Sequence, residues 1–311
     1  MEYRRLGKAG LKVSAVSLGA WLTYGGSVQG ETARACIRAA IDQGVNFIDV
    51  ADAYARGEAE RVVGRAIKDY RRSDLVLSSK LFWPMSDSVN DRGLSRKHVM
   101  ESVEKSLLRL DTDYLDIYFC HRFDPETPIE ETVRAMDDLV HQGKILYWGT
   151  SVWDAEQINE AVWTAGRTNS YHPQVEQPRY NMLDRHIESD IVPTCAQHGI
   201  GITVFSPLAQ GILTGKYNSD VPEDSRGATS QGLAASLTDQ TLDKVRQLTG
   251  IAAELNITAS QLALAWILRL PEISCVITGA TRPQHIEENA AAAQVILDDD
   301  VLNRIEAILA A

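Results

Sequence analysis

The stretch TDYLDIYFCH, residues 112–121, decides how the rest of the chain is read. Its strand run from Tyr114 to Cys120 is apolar at most positions instead of alternating, as expected of a strand buried on both faces in a parallel sheet. Before it, Val99, Val103, Leu107 and Leu110 fall on one face of a helix, and after it Ile129, Val133, Met136 and Val140 repeat that signature. The unit is therefore helix, strand, helix, and the strand ends on a histidine, His121.

The same unit recurs outward in both directions. Apolar, β-prone runs occupy 16–19, 46–50, 75–79, 114–120, 145–149, 174–176, 202–205 and 274–278, with amphipathic stretches between them. Cys36, Ile37, Ala40 and Ile41 form one such helical face. Gly44 and Gly143 stand where a left-handed residue ends a helix, and Ser95 and Thr258 stand where a hydroxyl caps one. Eight strands alternating with helices predict a parallel sheet with right-handed crossovers, and eight is the number that closes a (β/α)₈ TIM barrel. The rival open sheet announces its nucleotide site with GxGxxG after the first strand; Gly19, Gly25 and Gly26 have the wrong spacing. Residues 2–14 read as a hairpin capping the N-terminal mouth, residues 207–240 as a long loop of the kind that carries function, and the C-terminus as a helical extension.

Length and charge bound the rest. At about 150 residues per domain, 311 residues allow two domains, but one barrel with extensions accounts for 1–311 as a single unit. With 31 Lys and Arg against 42 Asp and Glu, the net charge is −11, which argues against nucleic acid as a partner while leaving room for a local phosphate site. Cys36, Cys120, Cys195 and Cys275 have neither CxxC pairing nor metal-ligand spacing, so reduced thiols in a cytoplasmic protein are expected. MEYRRLGKAG has no apolar leader core, and no apolar run is long enough to insert in a membrane.

In such a barrel the chemistry lies at the C-terminal strand ends. The second strand ends in Asp49, with Tyr54 following in DVADAY; the third ends in Lys80 and the fourth in His121. Each alone reads as a loop cap, a solvated end or a core histidine. Together they place a carboxylate, a phenol, an ammonium and an imidazole at one patch of the mouth. A phenol with a pKa near 10 is a poor acid at neutral pH; a neighbouring Lys80 ammonium lowers that value, provided Asp49 keeps the buried lysine charged. His121 then aims a hydrogen bond at a substrate oxygen, and the set suits protonation of a carbonyl oxygen during hydride addition.

Over nearly its full length the chain resembles the aldo-keto reductases, in particular the branch of voltage-gated potassium-channel β-subunits and related microbial aldehyde reductases. The resemblance is carried by YRRLGKAGLKVSAVSLGAW, DVADAY, RGLSRKHVMESVEKSLLRL, DPETPIEETVRAM, YWGTS, FSPLAQGILTGKY and GATRPQHIEEN. It implies that Asp49, Tyr54, Lys80 and His121 form a catalytic tetrad, with Tyr54 as general acid. For a nicotinamide cofactor it implies Trp21 and Asp49 among the contacting residues, and Ser151 and Gln177 at the carboxamide. Ser206, Pro207, Leu208, Ala209 and Gly211 match the pyrophosphate loop, Lys216 and Arg226 basic positions near the phosphates, and Gly279, Thr281, His285, Glu288 and Asn289 the adenosine end. The opening of the last of these segments also reads independently as a helix N-terminus suited to an anion, with Thr281 and Arg282 placed for a 2′-phosphate. NADPH is the expected cofactor, with NADH possible because His285 and Val152 depart from the relatives' glutamine and arginine.

The resulting expectation is reduction of a small aldehyde or ketone by NADPH. The resemblance also implies homo-oligomers, and it leaves two alternatives. One is a cofactor-sensing regulatory subunit; its channel-associated members carry asparagine where His121 stands. The other is a lyase forming a Schiff base on Lys80, which Asp49 disfavours by holding the lysine charged.

Overall fold

The computed structural model describes residues 1–21, 24–25, 30–223 and 225–311. An antiparallel hairpin of β1 (Tyr3–Arg5) and β2 (Lys12–Ser14) precedes eight parallel strands: β3 (Val16–Gly19), β4 (Phe47–Asp49), β5 (Val76–Leu81), β6 (Leu115–Cys120), β7 (Ile145–Thr150), β8 (Val175–Glu176), β9 (Gly201–Val204) and β10 (Ile273–Thr278). They pair in sequence order, and β10 closes back on β3 to complete the barrel. Each run expected as a strand forms one, within about two residues at its ends.

Helices wrap the outside, among them α1 (Gly30–Asp42), α2 (Glu58–Ile67), α3 (Arg96–Leu110), α4 (Ile129–His141), α5 (Ala155–Thr168) and α6 (Ile191–His198). Ser95 caps α3 by accepting from the His98 amide, and Thr258 forms a reciprocal capping box with Gln261. Gly44 and Gly143 take left-handed φ values of 81° and 69° behind their helices. The segment 207–240 departs from the long loop expected of it, because Ala209–Thr214, α7 (Arg226–Thr229) and α8 (Gln231–Ala234) are helical turns leading into α9 (Asp239–Glu254). After α10 (Ala259–Leu268) and β10 come α11 (Pro283–Ala291) and the C-terminal α12 (Asp299–Ala310). Among the described residues no single helix is long and apolar enough to cross a membrane.

The hairpin plugs the N-terminal mouth. Leu6, Ala9 and Val13 pack on Phe47, Val76, Ile117, Val175 and Cys275 inside the barrel, a second core distinct from the one beneath the helices. The close approach depends on Gly7, at φ +59°: a Cβ there would lie 2.3 Å from the Gly199 carbonyl oxygen and 2.4 Å from the Gly201 amide nitrogen. Both obstacles are backbone and cannot swing aside. Gly7→Ala is therefore expected to lower the unfolding free energy by about 2–3 kcal/mol, measured by urea denaturation; a loss below about 0.5 kcal/mol, the level of an ordinary surface change, would show that the hairpin docks loosely.

Candidate active site

Period-two geometry in β5 sorts its residues. Ser78 and Lys80 face the barrel interior and Ser79 faces the helices. Pairing of Asp49 with Ser78 across β4 and β5 brings the carboxylate under the lysine. Lys80 is wholly buried, and its Nζ donates to Asp49 Oδ2 at 2.6 Å, to the Val50 carbonyl at 2.9 Å and to the Tyr54 hydroxyl at 3.2 Å. The second oxygen of Asp49 accepts from Ser78 Oγ at 2.7 Å and from Gln177 Nε2 at 3.0 Å. Burial opposes the charge on Lys80, but Asp49 and Tyr54 outweigh it and hold the ammonium above the ordinary lysine value. A Schiff base needs the opposite.

Tyr54 opens a tight turn, Tyr54–Gly57, in which Ala55 and Arg56 adopt left-handed backbone (φ 48° and 52°). Such conformations persist only where the surroundings enforce them. The enforcement comes from the helical side of β5: Ser79 Oγ donates to buried Glu60 of α2 at 2.6 Å, and Glu60 is paired with Arg109 of α3. The Arg109 side chain in turn lies against Gly57, leaving no room for a Cβ there. Behind the same turn, buried Asp52 accepts from Ser102 at 3.1 Å, and burial together with the Glu60 charge pushes its carboxyl up to about 7.

Burial is the largest influence on Tyr54 and raises its phenol above the ordinary value, with Lys80 pulling the other way. The expected downward pull of Lys80 is thus present, but burial overrides it. His121 is driven well below its ordinary value by burial and by the charges of Lys80 and Arg122, so it is neutral at physiological pH. Its ring meets the Tyr54 ring edge-on at 5.9 Å between centroids and the Trp83 ring at 6.2 Å. Trp83 therefore contacts the tetrad, and Phe82 backs Trp83.

The residues expected at the nicotinamide end are contiguous with this set. Ser151 and Gln177 are buried at the ends of β7 and β8, Ser151 Oγ donates to the Gln177 carbonyl at 2.9 Å, and the Gln177 amide reaches Asp49. Trp21 is half-exposed, edge-on to Phe205. Beyond β9, Ser206, Ala209, Gln210 and Gly211 all carry positive φ in the segment that includes Pro207 and Leu208, and Asn181 fixes it through the Ser206 carbonyl. Lys216 folds its ammonium against Gly211, and Tyr217 accepts a hydrogen bond from Gly227 beside Arg226 at the start of α7. At the far end, Gly279 and Thr281 are exposed ahead of α11. His285 on that helix is held below its ordinary value by burial and by Arg282, with Lys216 adding to the effect. Glu288 accepts from Thr258 at 2.7 Å and Asn289 is buried.

Sequence reasoning missed several residues here. Glu176 is fully buried beside Gln177, accepts from Thr150 Oγ1 and from the Val152 and Trp153 amides, and so holds the left-handed Val152 that follows Ser151. Burial pushes it up to about 7. The Glu60–Arg109 clamp and the guanidinium of Arg122 were likewise not singled out. A charged residue inside an apolar strand run, as in VEQ, is the one signal that pointed to any of them.

Comparison with known proteins bears on the family of the chain. The model of the Aldo/keto reductase family matches residues 15–310. A probable voltage-gated potassium channel subunit beta of Arabidopsis thaliana is 50% identical over 318 residues, covering 99% of this chain and 97% of that protein. The corresponding protein of Oryza sativa subsp. japonica is 48% identical with the same coverage. A putative voltage-gated potassium channel subunit beta of Schizosaccharomyces pombe is 44% identical over 99% of this chain and 93% of its own length. A match running from the first barrel strand to the last helix, on a barrel of eight parallel strands, supports one assignment: the chain belongs to the aldo/keto reductase family.

Proposed function

We propose that this protein is an oxidoreductase that reduces small aldehydes or ketones with a nicotinamide cofactor, NADPH in preference to NADH. The observation that carries this reading is the buried chain Asp49–Lys80–Tyr54, with neutral His121 beside the phenol. The residues fit the cofactor chemically. Ser151 and Gln177 offer a hydroxyl and an amide for a carboxamide, the left-handed segment at 206–211 offers a shaped backbone, and Lys216, Arg226 and Arg282 offer cations for phosphate. When bound, a reduced nicotinamide supplies the hydride that a carbonyl carbon accepts.

The chain's own residues supply the rest. His121, uncharged, orients the carbonyl oxygen through a ring N–H. Tyr54 gives that oxygen its proton as negative charge develops, and its raised pKa means that the proton is present at neutral pH. Lys80 stabilises the phenolate left behind, while Asp49 keeps Lys80 charged. Trp83 walls the pocket.

A panel of aldehydes and ketones assayed with NADPH and NADH in parallel, following nicotinamide absorbance, tests the reading. Carbonyl-dependent oxidation, faster with NADPH at low cofactor concentration, is expected. Cofactor binding without carbonyl-dependent oxidation would overturn it and favour a second reading, a cofactor-sensing regulatory subunit, which the names of the relatives suggest.

A further inference from the structure

Arg122, the residue after His121, has an unusual setting for an arginine in this chain. It is half-buried, with its guanidinium carbon 5.5 Å over the Trp83 ring, and its hydrogen bond goes to the carbonyl of its own neighbour, His121. Among the described residues no carboxylate lies within ion-pair distance of it. Arg72, Arg109, Arg185 and Arg269, which are also largely covered, each pair with an acid: Asp116, Glu60, Glu188 and again Glu188. The acids near Arg122 are already engaged. Asp124 accepts from the Leu94 amide, the Glu126 amide and Thr127, and Glu176 accepts from Thr150, Val152 and Trp153.

Arginine cannot shed its proton, and it carries five donors in a planar fork that matches a carboxylate. Most of that fork is unspent here. Its charge is felt at both Tyr54 and His121, so it stands beside the place where the carbonyl would react. In a protein with a net charge of −11, a local cation of this kind is what draws an anion to the mouth.

We propose that Arg122 is a specificity-determining residue that binds a carboxylate on the substrate, so that the preferred substrates are anionic carbonyl compounds, oxo acids with the acid group a few bonds from the reacting carbonyl. This rests on the carbonyl-reductase reading, and the test separates the two. The full-length protein and Arg122→Gln are compared on 4-carboxybenzaldehyde and on 4-nitrobenzaldehyde, whose nitro group has the same shape but no net charge. Because both substrates report on the same folded fraction, the ratio of their losses is insensitive to partial misfolding. The loss of kcat/KM on the carboxylate is expected to exceed the loss on the nitro compound by about 10- to 100-fold, the range for one hydrogen bond to a charged group, with Arg122→Lys recovering part of it. Equal losses on both substrates overturn the proposal. If neither aldehyde is reduced, the carbonyl-reductase reading fails, and the anion site is read from benzoate binding by tryptophan fluorescence. A Kd about tenfold or more higher in Arg122→Gln sustains the site, and an unchanged Kd overturns it.

Discussion

Tyr54→Phe is expected to lower kcat for carbonyl reduction by about 10³-fold, within the range for loss of a positioned general acid, while leaving the fold intact. The hydroxyl is the only atom removed, and it is the one that Lys80 Nζ contacts at 3.2 Å. Lys80 keeps its bonds to Asp49 and Val50, so no buried charge is stranded. The direction of the Tyr54 shift adds a pH signature. A phenol raised above its ordinary value of about 10 keeps its proton through neutrality, so reduction by the unmodified protein should fall only as the pH rises through that raised value. Oxidation of the corresponding alcohol needs the phenolate and should rise over the same range. Steady-state rates in both directions across alkaline pH, with Tyr54→Phe alongside, check this. Turnover by the variant within a few-fold of the parent would remove Tyr54 from the role of acid.

The barrel was legible because burial on both faces writes itself into composition. A strand such as Leu115–Cys120 need not alternate when it has barrel interior on one side and helices on the other, and its apolarity at all positions but Asp116 marked it. Strand ends were legible for a related reason: a charged or phenolic residue directly after such a run has few places to go except the mouth. Asp49, Lys80 and His121 were found in that way, and the structure joins Asp49 and Lys80 directly and sets His121 against Tyr54. What could not be read was chemistry that depends on the third dimension. Glu176 lies inside a strand run and is tolerated because backbone amides of Val152 and Trp153, from the neighbouring loop, turn toward it. Glu60 looks like any solvated helix residue until Ser79 and Arg109 are brought to it across two other elements. The net direction of the Tyr54 shift was hidden as well, since a sequence names the charged neighbour but not the depth of burial that outweighs it. Arg122 carries no mark in the sequence that sets it apart from other charges, and its lack of an acidic partner among the described residues appears only when Asp124 is seen bound elsewhere. The turns within 207–240 were missed because their helices are four to six residues long, too short to show a period.

Lys80→Met tests whether the tetrad is also a structural element, and it should give a large loss of stability. The lysine is fully buried and Asp49 nearly so. Methionine fills much of the same volume, so packing loss is small, but the Asp49 carboxylate loses its counter-charge in a site closed to water. Removing one partner of a buried pair costs about 3–5 kcal/mol. The bonds from Ser78 and Gln177 to Asp49 soften this without cancelling it. If the stranded charge is the cause, neutralising it should reverse much of the loss: Lys80→Met combined with Asp49→Asn should recover at least half of the stability lost in the single variant, a coupling that a double-mutant cycle isolates. Activity should stay lost in both, because neither retains the ammonium that stabilises the Tyr54 phenolate. Urea denaturation of the parent, both single variants and the double variant supplies the four corners. A double variant no more stable than Lys80→Met would mean that the destabilisation comes from repacking around methionine, and that the pair is retained for catalysis alone.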